Sequence, residues 1–553
     1  MFCSAVLSSF LHPCVHSPQG IAFTLRLFAY KTDDVRFMEY FANHPKALRS
    51  SKWANTSFDR GDPSLLTIGF DRLHEIVPIG VGRQVREDDA DLLGRSRNLE
   101  FAGVLHPVSV PGSYAQLVRF VFDPADEGCD WLADLDLIAL GARTGLLWRD
   151  EQTIVVGLGE TTQITMSRPH GAKEAHEAFV AMSEPVHSHG RATAESHPHV
   201  ALTAIEFNPV SNGTLHVPQI VVAEKRQGAQ RTRWLSVLSE GPDSHDRRAQ
   251  SCAYARSLIH VAATDVLPPP KPHSVVTVSS DVDAATWMGT VAAATESIRT
   301  GTLEKVVLAR ELRVTTTDTF LLPRIVEDLA RRFPAAMLFS IDGFVGVSPE
   351  LLAARSGREL KSHPLAGTLP RHADDTEADI AAATQTLLDS SKDRHEHGIT
   401  IRWLLDELLP FCSYVDAEPQ PSVMELANVY HLGTLVAGVL TDPPVSVLEL
   451  VNAVHPTPAV GGSPQGQAVE MINEVEGFDR QRYAGPTGWV DTNGDGAFAV
   501  AVRTAQIRGG RATVWAGVGV VEESDPHAEL AETQAKFQAI LPTLLHRAVI
   551  VEP

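Results

Sequence analysis

Two glycine-bearing dipeptides constrain this chain more than any other feature. Asp342-Gly343 separates the apolar runs 337–341 and 344–347, and Gly509-Gly510 separates 497–507 from 512–521. Strand-like runs joined across such dipeptides read as β-hairpins, because Gly and Asp tolerate the positive φ angles of a tight turn. Hairpins make antiparallel neighbours, which argues against a doubly wound parallel sheet. A β-branched run from Lys305 to Val314, beginning KVVLAREL, reads as a further strand. Helical patterns lie between and after these runs. Residues 284–299 predict a helix with Gly301 as its stop. Residues 376–409 predict one long helix or two in line, ended by Pro410, and 527–541 predict an amphipathic helix. Antiparallel hairpins with helices outside them give an α+β class.

The first half is less sharply patterned. Short apolar runs at 135–140, 153–158 and 200–207 predict strands. Between them, His187, His189, His197 and His199 fall among Pro185 and Pro198 and read as a solvated loop, since metal-site histidines need rigid supports. Pro268–Pro270 with Pro272 predict a stiff connector between the halves. Residues 1–125 carry no usable motif and are set apart as an N-terminal extension. The first 25 residues hold no Lys, Arg, Asp or Glu. They lack both the basic start of a secretory signal and the arginines of a transit peptide, and read as a non-functional or upstream-extended terminus rather than a targeting segment.

Charge narrows the function. Sixty-eight acidic residues against 47 basic ones give the 553-residue chain a net charge of −21. That argues against a nucleic-acid or membrane-surface binder, and requires a local positive pocket for any small anion. No apolar run approaches the roughly 20 residues of a membrane span. The five scattered cysteines contain no CxxC pair, so neither a disulfide framework nor a thiolate zinc site is expected. The chain reads as a cytoplasmic protein.

Candidate chemistry collects in the second half. Glu529, Glu532 and Lys536 are spaced i, i+3 and i+7 on one helix face, and Glu396 lies in KDRHEH on the long helix. Such carboxylates suit a hard cation, Mg²⁺ rather than zinc. Glu and Lys at this spacing also form ordinary solvated, salt-bridged faces, and His395 and His397 read equally well as plain helix residues. Glycine-rich SHPLAGT, HPTPAVGG and AGVG allow backbone amides to approach a ligand, although Gly and Pro more often mark turns. Arg503 alternates with Val500 and Val502 along an expected strand, pointing away from the apolar face as a surface residue or an anion clamp. Lys305 opens one strand and Glu350 follows another; buried, they suit a base and an acid.

Together these segments resemble the chorismate-utilising enzymes, and among them isochorismate synthases. The matching stretches run in family order over 283–544: LEKVVLAREL, FVGVSPELLA, SHPLAGTLPR, SSKDRHEHGI, NVYHLGT, VHPTPAVGGSP, RYAGPTGW, VAVRTAQI, WAGVGVVEESDP and ELAETQAK. The resemblance implies a two-layer antiparallel β core flanked by helices, with a synthase domain over 126–553 and a chorismate-binding core over 283–545. It implies Lys305 as general base, Glu350 as general acid, and Glu396 and Glu532 as Mg²⁺ ligands with Glu529 acting through water. Arg503, Gly517, Gly519 and Lys536 resemble the binders of substrate carboxylate; Gly367, His431 and Tyr483 resemble pocket lining. Departures are Val518 for a smaller Ala, Leu530 for Trp and Ser391 for Glu. Ala459 stands where salicylate- and anthranilate-forming relatives usually carry Thr, and it equally suits a tight Pro-flanked turn. The expected reaction is Mg²⁺-dependent isomerisation of chorismate, feeding menaquinone or siderophore/salicylate synthesis. Salicylate synthase and a non-catalytic chorismate-binding regulator are the alternatives. A monomer or weak homo-oligomer is expected.

Overall fold

The computed structural model describes residues 117–545 apart from 169, 184–185, 188–196, 241–243, 266, 269–274, 372–374 and 426–428, together with short strands before residue 71 and at 549–551. The expectation for the first ten residues, and most of the Pro268–Pro272 connector, lie outside the described residues. The chain divides into two units, 1–93 and 94–553. In the first, the strands His12–Ser17, Gly20–Arg26, Leu65–Phe70 and Thr56–Phe58 pair antiparallel in that spatial order.

The second unit is built on one large, mostly antiparallel sheet that closes on itself, with helices packed against it. Many of its strands are buried on both faces, and there successive side chains serve different cores. Trp148, Val155, Val221, Phe339 and Phe344 enter one apolar cluster. Their chain neighbours Leu147, Val156, Val222, Leu338 and Val345 enter the other. That is the period-two alternation of a strand realised as two cores. Phe179, Trp287 and Leu404 bring helices to the first core; Leu140, Ile259 and Leu329 bring helices to the second. No helix of the described residues is long and apolar enough to cross a membrane.

Several expected elements form as read. The helix Ala284–Arg299 stops at Gly301, whose φ is 83°. The hairpin Met337–Ile341/Phe344–Ser348 turns on Asp342 and Gly343 with φ of 51° and 71°. The long helical stretch is two helices, Glu377–Asp389 and Ser391–Leu408, broken at Ser390, whose side chain caps the second by accepting from Asp393 N–H. The helix expected over 527–541 is Pro526–Phe537, which ends four residues sooner, and a separate short helix follows at Leu541–Leu544.

Others differ. Residues 135–140 are not a strand: Leu137–Thr144 is a helix, capped by Asp136 accepting from Ala139 N–H and stopped at Gly145 with φ 74°. Local capping outweighs the apolar run there. His197 and His199 are not solvated. His199 is fully buried, bonded to Ser236 Oγ at 2.9 Å and Pro218 O at 2.8 Å, and burial pushes it down to about 3. The His-Pro-His run docks as the lead-in to the strand Val200–Ala204, and His197 sits edge-on to Trp234. His187 and His189 lie outside the described side chains.

Residues 497–507 do not form one continuous strand. They fall in two strands, Gly496–Val500 and Thr504–Arg508, with a bend at 501–503. The facing chain bends at the same level: Phe344–Ser348 pairs with Thr504–Arg508, whereas Leu351–Ser356 pairs with Gly496–Val500. Val500 N–H to Glu350 O (3.1 Å), Ser348 Oγ–H to Val500 O (2.6 Å) and Val347 N–H to Arg503 O (3.3 Å) lock the two bends together. Arg503 has φ 54° in this corner, so its side chain leaves the strand alternation and is buried rather than surface-facing.

Candidate active site

The strand Lys305–Thr316 holds one side of the site. One edge pairs along almost its whole length with Arg511–Val520. The other edge has two short partners, Gly462–Ser463 at its start and Val275–Ser279 at its end. A buried ion pair fills the gap between them. Glu476 Oε1 accepts from Ala309 N–H at 2.7 Å, and Arg480 Nη2 donates to Val307 O at 2.7 Å. Arg480 Nη1 donates to Val460 O at 2.8 Å, and the pair closes internally at 2.5 Å. Backbone groups that would otherwise be orphaned are thus satisfied, and the strand is fixed where Lys305 begins it.

Lys305 is fully buried, its Nζ 3.0 Å from Glu396 Oε1. Burial pushes the Glu396 carboxyl up, but Lys305, with Lys536 and Lys392, overrides this and holds it below its usual value. Gly519, opposite Val307, makes room for the pair: a Cβ there would collide with Glu396 Oε1 and stand 3.1 Å from Lys305 Cε.

Glu350 and Arg503 come from the paired corner. Burial raises the Glu350 carboxyl to about 7 against Leu365 N–H, Lys305, Lys536 and Arg503, which all lower it. Its Oε1 and Arg503 Nη1 are buried without a protein hydrogen-bond partner among the described residues. Arg503 Nη2 donates to His431 Nε2 at 3.0 Å. That ring nitrogen must therefore be unprotonated, which makes Nδ1 the N–H and Gly367 O its acceptor at 3.1 Å. Burial, Arg503 and Lys536 hold His431 well below its usual range, consistent with that neutral tautomer. Gly367 interrupts the register of Leu365–Pro370 against Val429–Gly433 with φ 73°, and a Cβ on it would press on Asp393 Cβ at 2.8 Å.

Lysines and carboxylates alternate across the helices Ser391–Leu408 and Pro526–Phe537. Lys392 pairs with Glu529 at 2.9 Å and Lys536 with Glu532 at 2.8 Å, while Lys536 also donates to Gly517 O at 2.8 Å. Burial raises Glu529, and Glu532 adds to it; burial raises Asp393, and Glu396 and Glu532 add to it. The carboxylates therefore sit within each other's fields. Tyr483 stacks on Trp515 at 5.9 Å, accepts from Gly517 N–H, and has its phenol raised by burial.

Among the described residues, no three acidic, imidazole or thiolate side chains converge closely enough to hold an ion as placed. The donor chemistry nonetheless suits a hard cation. Buried, mutually repelling carboxylates on two helices are now balanced by lysine ammonium groups.

The structure thus gathers Lys305, Glu350, Glu396, Glu529, Glu532, Lys536, Arg503, His431, Gly367, Tyr483, Gly517 and Gly519 into one connected network. Ala459 lies half-buried in the turn closed by Gly461 N–H to Thr457 O, whose next residues pair with Lys305 and Val306. Sequence reading passed over Lys392 and Asp393, although they precede Glu396 by four and three residues and so share its helix face. It also passed over Glu476 and Arg480, an i, i+4 pair. His397 is no plain surface residue: it is buried, with Nε2 2.7 Å from Thr434 Oγ1. His395 is exposed.

A family profile described as chorismate binding enzyme matches residues 117–545. The isochorismate synthase MenF of Bacillus subtilis is 30% identical over 422 residues, covering 72% of this chain and 87% of that protein. Isochorismate synthase DhbC of the same organism is 38% identical over 255 residues, 44% of this chain and 64% of DhbC, so the match spans just under two thirds of that relative. The crystal structure of a putative 2,3-dihydroxybenzoate-specific isochorismate synthase, DhbC from Bacillus anthracis, superposes with a TM-score of 0.58 at 29% identity, covering 75% of this chain and 98% of that one. MenF from Escherichia coli gives 0.62 at 22% identity over 78% of this chain and 94% of that chain, a likeness of fold.

Proposed function

The chain belongs to the chorismate-binding enzymes, and on that premise we propose that it is an isochorismate synthase, converting chorismate to isochorismate. The observation that carries this reading is Glu350: a buried carboxyl raised to about 7, with one oxygen uncommitted, beside buried Lys305 and Arg503 and half-buried Lys536. A carboxyl that keeps its proton to neutral pH is suited to be a general acid.

Chorismate carries two carboxylates, and in so acidic a chain Arg503 and Lys536 supply the positive charge it needs. Lys305 Nζ, in its neutral amine form, takes a proton from the water that adds at C2. Glu350 gives its proton to the C4 hydroxyl as it leaves, and the ring double bonds shift. His431, neutral and fixed by Gly367 O, keeps Arg503 Nη2 in place and leaves Nη1 for substrate. Glu396 and Glu532, with Glu529 through water, would hold Mg²⁺, which when bound supplies charge to a substrate carboxylate. The scattered cysteines support a reducing, cytoplasmic setting.

The test is chromatography of products from purified protein, chorismate and Mg²⁺. Isochorismate approaching a reversible equilibrium with chorismate is expected, because Ala459 offers no side-chain hydrogen bond for a later elimination. Salicylate with stoichiometric pyruvate as the main early product would make the chain a salicylate synthase instead. For the metal, calorimetric titration should show Mg²⁺ binding weakened at least ~10-fold in Glu532→Gln, each lost charged ligand counting for about 1.4 kcal/mol or more. Unchanged affinity would remove Glu532 from the ligand set.

A further inference from the structure

We propose that Cys129 and Cys252 form a redox-active dithiol that closes to an intramolecular disulfide when the full chain meets a small disulfide oxidant such as glutathione disulfide. The two sulfurs lie 3.1 Å apart although 123 positions separate them in the chain. Both are free thiols. Closing the bond to the ~2.05 Å of a disulfide needs a movement of only about 1 Å.

The surroundings assign the two sulfurs different tasks. Cys252 lies on the helix His245–Thr264 and is half-buried, with Arg248 and Arg256 one turn before and after it. Both guanidinium groups favour its thiolate, and the hydrogen bond from Cys129 favours it most. Cys129 is buried at the start of the short helix Asp130–Leu132, and its thiol is raised by that hydrogen bond and by burial. Cys252 is therefore the sulfur that attacks and Cys129 the one that resolves.

The support is rigid on both sides. Arg248 pairs with Asp126 at 3.2 Å and lies 4.2 Å over the Phe122 ring; Arg256 lies 5.9 Å over Trp131. Trp131 Nε1–H is bonded to Gly128 O. These contacts hold the 123–132 loop against the helix independently of the sulfurs.

The reaction balances in two exchanges. The Cys252 thiolate attacks glutathione disulfide, forming a mixed disulfide and releasing one glutathione thiolate. Cys129 gives up its proton and attacks the Cys252 sulfur, releasing the second glutathione; the protein loses two hydrogens and glutathione disulfide is reduced. The new bond closes a loop of more than a hundred residues, the regime in which a cross-link most restricts the unfolded chain.

The experiment treats the full chain with glutathione disulfide, alkylates remaining thiols under denaturing conditions and maps peptides by mass. A peptide pair linked through Cys129 and Cys252, two hydrogens lighter, is expected. The melting temperature should rise by about 5 °C, fall back with reductant, and stay constant in both Cys252→Ser and Cys129→Ala. The proposal is overturned if Cys252 ends as a stable mixed disulfide with Cys129 still alkylated, or if both thiols stay free while unfolded control protein is oxidised.

Discussion

Glu224, on the strand Gly213–Gln227, and Glu350, in the corner between two strands, are both buried carboxylates of the same unit, and their surroundings are opposite. Glu224 is fully saturated. Arg226 takes one oxygen at 2.8 Å; Arg231 and Arg233 take the other at 2.5 and 2.6 Å, and Arg233 also donates to Leu132, Ala133 and Leu135 carbonyls. Glu350 has cations nearby, yet one of its oxygens meets no protein donor. The same contrast separates Arg480, whose hydrogen bonds are spent on Glu476 and two carbonyls, from Arg503, which keeps Nη1 uncommitted. Saturated buried charge fixes the fold. At the sheet corner Glu350 and Arg503 each keep a buried polar atom without a protein partner among the described residues.

Four variants probe that division. Glu224→Ala should destabilise most, by about 3–5 kcal/mol, because it strands buried arginine charge. Chemical denaturation measures this, and turnover per folded molecule should stay near wild type. A variant of wild-type stability would show that the cluster is dispensable. Lys305→Ala should cost at least ~100-fold in kcat, the scale of a positioned proton-transfer group. Steady-state rates check it, and near-normal turnover would mean that another group activates the water. Arg503→Lys should raise KM for chorismate about 10-fold, since an ammonium cannot serve His431 and substrate together as a guanidinium fork does. An unchanged KM would place the carboxylate elsewhere. Removing residues 1–93, whose described strands pair only with one another, should leave kcat within a factor of two. An inactive or insoluble product would make that unit part of the working enzyme.

Much of this was legible in the sequence. The hairpins at Asp342-Gly343 and Gly509-Gly510, the helix Ala284–Arg299 and the shared face of Glu529, Glu532 and Lys536 follow from local rules, so they were readable locally. The corner was not. Residues 497–507 carry a continuous strand pattern, and it is the facing chain at Pro349–Glu350 that decides where they bend. The buried state of Arg503, the tautomer of His431 and the service of Arg480 to the Lys305 strand likewise depend on partners tens to hundreds of residues away. The 135–140 run failed for the reverse reason: a local cap at Asp136 and a stop at Gly145 outweighed its apolar composition.

The most direct test of the account is Glu350→Gln, read for turnover and for stability against pH. The folded carboxyl is raised to about 7, so the folded state binds its proton more tightly than the unfolded chain does. Its stabilising contribution is complete below the unfolded value of about 4.3 and is lost as pH rises through about 7, on the order of 3 kcal/mol in total. Gln keeps the shape without the charge. The variant should therefore lose at least ~100-fold in kcat while becoming more stable than wild type at pH 8, the two proteins converging near pH 4. A variant with turnover near wild type, or one less stable than wild type at pH 8, would contradict the claim that Glu350 is an unsaturated acid held for catalysis.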